Sequence, residues 1–517
     1  MTSTLKIGWG KRSIAMDGPV PISGQFHLRI SFGAYTDVIV SALVLDNEQD
    51  SVIFVSADMV SIPPVLLSAA QEILKKEMPE IPAEKIILNA THTHAGPSAR
   101  PLSPDYPSRI RYTPTEEVNA FIARQIADAV MEAWNKRAEG FIAYGYGFAV
   151  TGHSRRVVYQ DDVGLRMGGI PGLMINGHAK MYGNTNDSMV EGYECGLDPF
   201  INLLYTFDKD EKLTGAIVNV PCPSQTGENT WMLHASFWHN VREKLSAAYG
   251  DVGVIAQAAA AGDLSPRQLH YLAAEGRRYR LKYPQLRKAM EENPLKHPKD
   301  GCPNEGKASF SEYDLLEFMR AEDIANRIVD AFDEVLSWAS REKFSQVELK
   351  HEIRVFQLAR RFFPEVMAEE EKKNYEAVRN EPMTEDGEVW AQLRDNSIRM
   401  SRILRSKGVV DRYAMQDSNP TVPTQVHIVR VGNIAFASNP FELYMSFMHR
   451  MQARSPFEQT FVVQLTCDPM GARGYLATER AIANKGYSAS PYCNVVSPEG
   501  GQQLVDETLK VLEELKK

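Results

Sequence analysis

Cysteine is scarce in this chain of 517 residues: Cys195, Cys222, Cys302, Cys467 and Cys493 are all it has. An odd, scattered set excludes a disulfide framework and fits a reducing compartment. No apolar run reaches the roughly 18 residues of a transmembrane helix. The segment Met1–Gly10 lacks an apolar core and a small-residue cleavage pattern, so no export signal is read and a cytoplasmic location is expected. Positive charge is also in deficit, 57 Lys and Arg against 66 Asp and Glu, for a net charge of −9 and a pI near 5.8. That balance disfavours nucleic acid and anionic membranes as partners. What remains is ordinary for a soluble enzyme: 44% hydrophobic and 24% charged residues. The expected partner is a small-molecule substrate, without membrane insertion, and a homo-oligomer is compatible with the composition.

The chain alternates strand and helix signals. Val38–Leu45 and Ser51–Ala57 are β-branched apolar runs around the polar turn Asp46–Asp50, which predicts a hairpin. Leu66–Glu77 has helical composition, and Ile86–Leu88 reads as a short buried strand. Thr113-Pro114-Thr115-Glu116 predicts a helix capped by Thr113, with Ile122, Ile126, Val130 and Trp134 on one face. Leu203–Phe207 pairs with Thr214–Val220, and Val252–Ala256 is a further buried strand. Val426–Val431 and Ile434–Ala437 flank the turn Gly432-Asn433. Residues 268–405 are charged and largely helical in texture, broken by the loop His297–Gly306, and are read as a helical layer or insertion. An α/β fold (mixed α+β, mixed sheets flanked by helices) is expected.

Four local patterns bear on chemistry. In Asn89-Ala90-Thr91-His92-Thr93-His94-Ala95-Gly96-Pro97, two histidines at i and i+2 beyond a strand share a side. Paired imidazoles there suit a metal such as zinc, and equally suit an exposed polar loop. Ser265, in Gly262-Asp263-Leu264-Ser265-Pro266, is a nucleophile candidate, but Ser followed by Pro is also a routine helix start, and that reading is preferred. Ser154-Arg155-Arg156 supplies two guanidiniums suited to an oxyanion or carboxylate. Gly8-x-Gly10 lacks the third glycine of a dinucleotide fingerprint.

Taken in order, these segments resemble the N-terminal catalytic domain of the neutral/alkaline non-lysosomal ceramidase family. The likeness runs through Ile7-Gly8-Trp9-Gly10-Lys11 to Ser23-Gly24, then Val55–Asp58 and Thr91–Pro97. It continues through Ser154-Arg155-Arg156, Gly262–Pro266 and Asn439-Pro440-Phe441-Glu442. It ends with Gly474-Tyr475, Gly486-Tyr487 and the helix Glu499–Leu515. The resemblance implies one large catalytic unit over 1–517, with the helical layer at about 268–405 and no C-terminal β-sandwich domain. It implies a zinc ion held by His92, a second histidine, Glu442 and Tyr475. His94 would serve as proton donor or shuttle, Arg155 and Tyr487 would hold the substrate carbonyl, and Gly24 would line the pocket. Arg156 is added as a substrate-binding candidate.

The second histidine is missing. Asn219-Val220-Pro221-Cys222-Pro223-Ser224-Gln225 stands in its place, which puts Cys222 on the ligand position; thiolate is a good zinc ligand. His234 and His239 are alternative replacements, and a buried, inert Cys222 is the contrary reading. The implied activity is hydrolysis of an amide (N-acyl) bond by metal-activated water. The lack of an export signal and the altered 222–239 loop point to a small polar substrate rather than long-chain ceramide. The alternatives are a metal-dependent enzyme of carbohydrates, by hydrolysis, isomerisation or elimination, and a non-catalytic ligand-binding relative.

Overall fold

The computed structural model describes residues 4–100, 112–292 and 312–517; the loop expected at 297–306 lies outside them. An eight-stranded sheet runs Gly253–Ala258, Leu213–Val220, Phe200–Asp208, Ala138–Phe148, Lys6–Ser13, Ile39–Asp46, Ser51–Ala57, Ile86–Ala90. It is antiparallel throughout its middle and parallel at both ends, where Leu213–Val220 meets Gly253–Ala258 and Ser51–Ala57 meets Ile86–Ala90. A second sheet orders Leu349–Ala359, Thr421–Val431, Ile434–Ser438 and Gln459–Val463.

Alternation along the strands builds the layers. In Ile39–Asp46, Val40, Ala42 and Val44 face the helices 64–77 and 115–135, while Leu43 and Leu45 face the second sheet. The period of two repeats in the next strand, with Val55 on the helix side and Phe54 tilted against Phe436 at 4.7 Å between ring centroids. Helices 237–249 and 312–339 cover the other half of the first sheet, and helices 445–454 and 498–516 cover the outer face of the second. The result is helices, sheet, sheet, helices: the expected α/β class in four layers.

The hairpins form where the turns predict them. Gly8 and Gly10 have a packing role: a Cβ on either would lie 1.9 and 2.1 Å from the carbonyl oxygens of Ala133 and Ala129. Helix 115–135 therefore rests directly on the first strand. Three expectations differ. Pro114, not Thr113, caps that helix, because the Thr113 hydroxyl donates to the Pro19 carbonyl at 2.9 Å. No helix starts at Ser265; Leu264–Ser265 pairs with His153–Ser154, and the helix begins at Leu272. The 268–405 stretch contains helices 272–282, 284–292, 312–339, 365–379 and 389–415, but also the strand Leu349–Ala359, an edge of the second sheet. Among the described residues no helix is long and apolar enough to cross a membrane.

One buried pair makes stability pH-dependent. His351 Nε2 lies 2.9 Å from His427 Nδ1 in the second sheet, and burial pushes each imidazole down to about 3. The folded protein keeps both rings neutral, whereas the unfolded chain binds protons near 6.5. Stability is therefore full above about pH 6.5 and falls as pH drops towards 3, by on the order of 2 kcal/mol per ring at pH 5. Urea unfolding at pH 7 and pH 5 should show a lower midpoint at pH 5; an unchanged midpoint contradicts the assignment.

Candidate active site

Four segments distant in sequence meet at one rim. The strand Ile86–Ala90 delivers Thr91–His94. His92 turns with φ +66°, a conformation costly for a non-glycine residue and found where the surroundings impose it. Its Nδ1 lies 2.7 Å from the Val60 carbonyl, which can only accept, so Nδ1 carries the proton and Nε2 presents its lone pair. Burial pushes His92 down to about 4, which keeps the ring neutral at neutral pH.

Glu442 follows the strand Ile434–Ser438 and pairs in parallel with Tyr475, as part of two two-residue strands. Its Oε2 lies 3.5 Å from His92 Nε2. Gly262 makes this approach possible, since a Cβ there would lie 2.3 Å from the Glu442 carbonyl oxygen. The same Gly262 carbonyl accepts from Arg155 Nη2 at 2.7 Å, and Arg155 Nη2 lies 3.9 Å from Glu442 Oε2. Burial opposes the charge on Arg155, but Tyr475, Tyr182 and Glu442 outweigh it and hold the guanidinium protonated. Arg155 Nε is buried without a hydrogen-bond partner. The Tyr475 phenol is fully buried, with its pKa raised by burial, and Glu442 accepts its hydrogen bond. Tyr487 stands beside it, ring centroids 5.8 Å apart, and Phe26 meets Tyr487 edge-on at 5.1 Å.

His94 lies across from His92, Nε2 to Nε2 at 3.4 Å, with its Nδ1 3.0 Å from Glu228 Oε2. Gly24, at φ +113°, backs onto it: a Cβ there would meet His94 carbons at 2.6 Å. Burial alone would raise the Glu228 pKa, yet His94, Gln225 and Arg267 hold it down at about 2. Buried Arg29 pins the whole corner by donating to the carbonyls of Glu228 (2.6 Å), Thr230 (2.7 Å), Ser23 (3.0 Å) and His94.

The structure thus brings together His92, His94, Arg155, Glu442, Tyr475, Tyr487 and Gly24. It does not bring Cys222 into the group. Cys222 is buried in the apolar cluster of Phe237 and Trp238, its Sγ donating to the Thr151 carbonyl at 3.2 Å, and burial raises its pKa against the thiolate. His234 is equally committed, with Nε2 3.0 Å from both the Gly227 carbonyl and the Thr230 hydroxyl, and Nδ1 accepting from Ser236 N. His239 lines a separate cavity of about 550 Å³ with Trp9 and Arg242.

Arg156 spends its donors on structure: Glu194, Ser488 and the carbonyls of Ala481 and Lys485. It ties down the segment that carries Tyr487. Arg156→Ala would leave the buried Glu194 carboxylate without its counter-charge, with Asn484 Nδ2 still donating to it at 2.9 Å, and is expected to cost about 3–5 kcal/mol in chemical denaturation. A loss below about 1 kcal/mol would show that the pair is dispensable. Ser265 accepts from Arg267 N at 3.1 Å and from Tyr182 at 3.4 Å, a structural role in this corner.

Glu228, Arg29, Gln225, Tyr182 and Arg267 were not singled out from sequence. Glu228 follows Gly227 in an unpatterned loop, and a single glutamate in such a loop carries no periodic signal. Its importance comes only from burial against His94.

Comparison with known proteins bears on this rim. No family model and no curated protein matches the chain. Among solved structures, neutral ceramidase from Pseudomonas aeruginosa superposes with a TM-score of 0.62 at 16% identity, over 99% of this chain and 75% of that one. The chain has the neutral ceramidase fold. A ceramidase complexed with C2 gives the same score at 15% identity and the same coverage. At this identity the likeness establishes the fold, and the chemistry must be read from the side chains.

A metal is the point to test, and the donor chemistry decides it. His92 Nε2 and Glu442 Oε2 are both acceptors, and His94 Nε2 is a third when Nδ1 holds its proton toward Glu228. His92 Nε2 has Glu442 Oε2 at 3.5 Å and His94 Nε2 at 3.4 Å, and acceptors facing each other call for a cation or a proton between them. The spacings of 3.4 and 3.5 Å match the roughly 3.3 Å between neighbouring nitrogen ligands on tetrahedral zinc. Among the described residues no group of three or more His, Cys, Asp or Glu side chains is placed to hold a metal ion. The side chains left to offer a metal are His92 and Glu442, 3.5 Å apart, with the Tyr475 oxygen beside them, and Cys222 adds nothing to the set.

Proposed function

We propose that this protein hydrolyses the amide (N-acyl) bond of a small polar substrate, with zinc held by His92, Glu442 and Tyr475. The observation that carries the reading is the convergence of acceptors at His92, His94 and Glu442 beside a buried arginine with a free Nε. The neutral ceramidase fold, whose solved examples are named for an amide-cleaving activity, supports the same reaction class.

Bound zinc would supply a Lewis acid and bring the pKa of water from about 15.7 towards 7. The side chains do the rest. His94 Nε2 takes a proton from the water as its oxygen bonds to the carbonyl carbon. Arg155 and Tyr487 donate to the carbonyl oxygen as it gains negative charge. His94 then hands its proton to the nitrogen as the C–N bond breaks, releasing an amine and a carboxylic acid.

The polar substrate is argued from the corner that borders His94. Glu228, Gln225, Arg267 and Tyr182 bring carboxylate, amide, guanidinium and phenol groups to it. A polar substrate can exchange hydrogen bonds with these groups, whereas a hydrocarbon chain laid against them could only strip them of water. The test is a panel of short polar N-acyl compounds, a long-chain ceramide and glycosides, read by product mass. Release of amine and acid from the polar amides is expected. Preferred cleavage of ceramide would overturn the substrate class, and turnover of glycosides alone would move the protein to carbohydrate chemistry.

A further inference from the structure

The loop that departs from the expected sequence also supplies something that was not expected. Pro221–Ser236 places no histidine beside His92 and Glu442, but it folds Glu228 under His94 instead. The carboxylate is buried; two groups besides the imidazole reach it and a third holds the backbone. Gln225 Nε2 donates to Oε2 at 2.8 Å, Arg267 Nη2 lies 3.8 Å from Oε1, and Arg29 holds the backbone carbonyl. Its Oε2 lies 3.0 Å from His94 Nδ1, an ion-pair contact, and this buried nitrogen has no aligned hydrogen bond among the described residues. Glu228 is the carboxylate within reach of that nitrogen, and catalytic contacts of this kind align when substrate tightens the site.

We propose that Glu228 is a positioning residue for His94: its carboxylate holds the proton on Nδ1, aims Nε2 at the reacting centre, and stabilises the imidazolium formed there. The consequence rests on the proposed hydrolysis, but the tautomer does not. An ionised carboxylate can only accept, so it selects the Nδ1–H form of a neutral ring. That form leaves Nε2 with a lone pair facing His92 Nε2, 3.4 Å away, which is what a proton acceptor needs. When Nε2 takes the proton from water, the new positive charge lies against Glu228, and it is discharged when the leaving nitrogen takes the proton. A carboxylate behind a histidine contributes about 10⁴-fold to turnover in the best-studied case, by the same control of tautomer and charge.

The test is ¹⁵N NMR of the histidine rings in the full-length protein, with His94 assigned by its loss in His94→Gln. The parent protein should show His94 as the Nδ1–H tautomer, and Glu228→Gln, whose amide can donate to Nδ1, should move it to Nε2–H. Nε2–H in the parent, or an unchanged tautomer in Glu228→Gln, overturns the proposal. Kinetics give a second readout. Glu228→Gln should lower kcat by about 10²-fold or more while KM stays within about threefold. Adding it to His94→Gln should change nothing further, because it acts through that ring. A full additional loss in the double variant overturns the proposal. If the parent cleaves no amide yet the tautomer switches, positioning by Glu228 stands and the proposed reaction falls.

Discussion

Replacing His92 by glycine is expected to lower turnover of a polar N-acyl substrate by at least about 10³-fold and to abolish stoichiometric zinc. His92 is the centre of the acceptor cluster, 3.5 Å from Glu442 and 3.4 Å from His94, so its loss leaves the proposed site without its only shared neighbour. Glycine is the informative choice because residue 92 sits at φ +66°, where glycine carries no strain and alanine does. A melting temperature close to that of the parent is expected for the glycine variant, so that lost activity cannot be ascribed to unfolding. Elemental analysis of both proteins completes the measurement. Zinc retained at one equivalent, or activity surviving the change, would sink the metal assignment.

The second large effect is expected at Arg155. Arg155→Met keeps the stem and removes the charge, so the Gly262 carbonyl loses its 2.7 Å donor and Glu442 loses its nearby counter-charge. If the guanidinium stabilises negative charge on the carbonyl oxygen, kcat should fall about 10²–10³-fold, with KM changing much less. A change confined to KM would instead make Arg155 a ground-state binding group. Arg155→Lys should not rescue, because one ammonium cannot serve both the Gly262 carbonyl and a substrate oxygen as a planar fork can.

How much of this was legible beforehand follows from what local pattern encodes. Val40, Ala42 and Val44 alternate with Leu43 and Leu45 because the strand has layers on both faces, and a period of two is visible in any window. The i, i+2 spacing of His92 and His94 after a strand was equally visible, although the turn at His92, with φ +66°, and not strand alternation brings the two rings together. The convergence of His92 with Glu442, 350 positions later, was suggested only by a likeness in motif order, and distance and orientation came from the fold. Cys222 shows the limit. Alignment with the resembled family put it on a ligand position, whereas packing beside Phe237 and Trp238 turns the thiol towards the Thr151 carbonyl. Ser265 followed by Pro266 had the marks of a helix start, but pairing of Leu264–Ser265 with His153–Ser154 overrode the local preference.

The sequence by itself determined the α/β class with its mixed strands and helices, and the strand ends that carry the histidines. These follow from periodicity and from backbone sterics, which act over a few residues. Only the tertiary structure decided which side chains share the site. It withdrew Cys222 and Arg156 into packing and buried ion pairs, and it brought Glu228 beneath His94 from a loop without pattern. Burial and long-range approach set the protonation and reach of a side chain, and neither is a property of neighbouring residues.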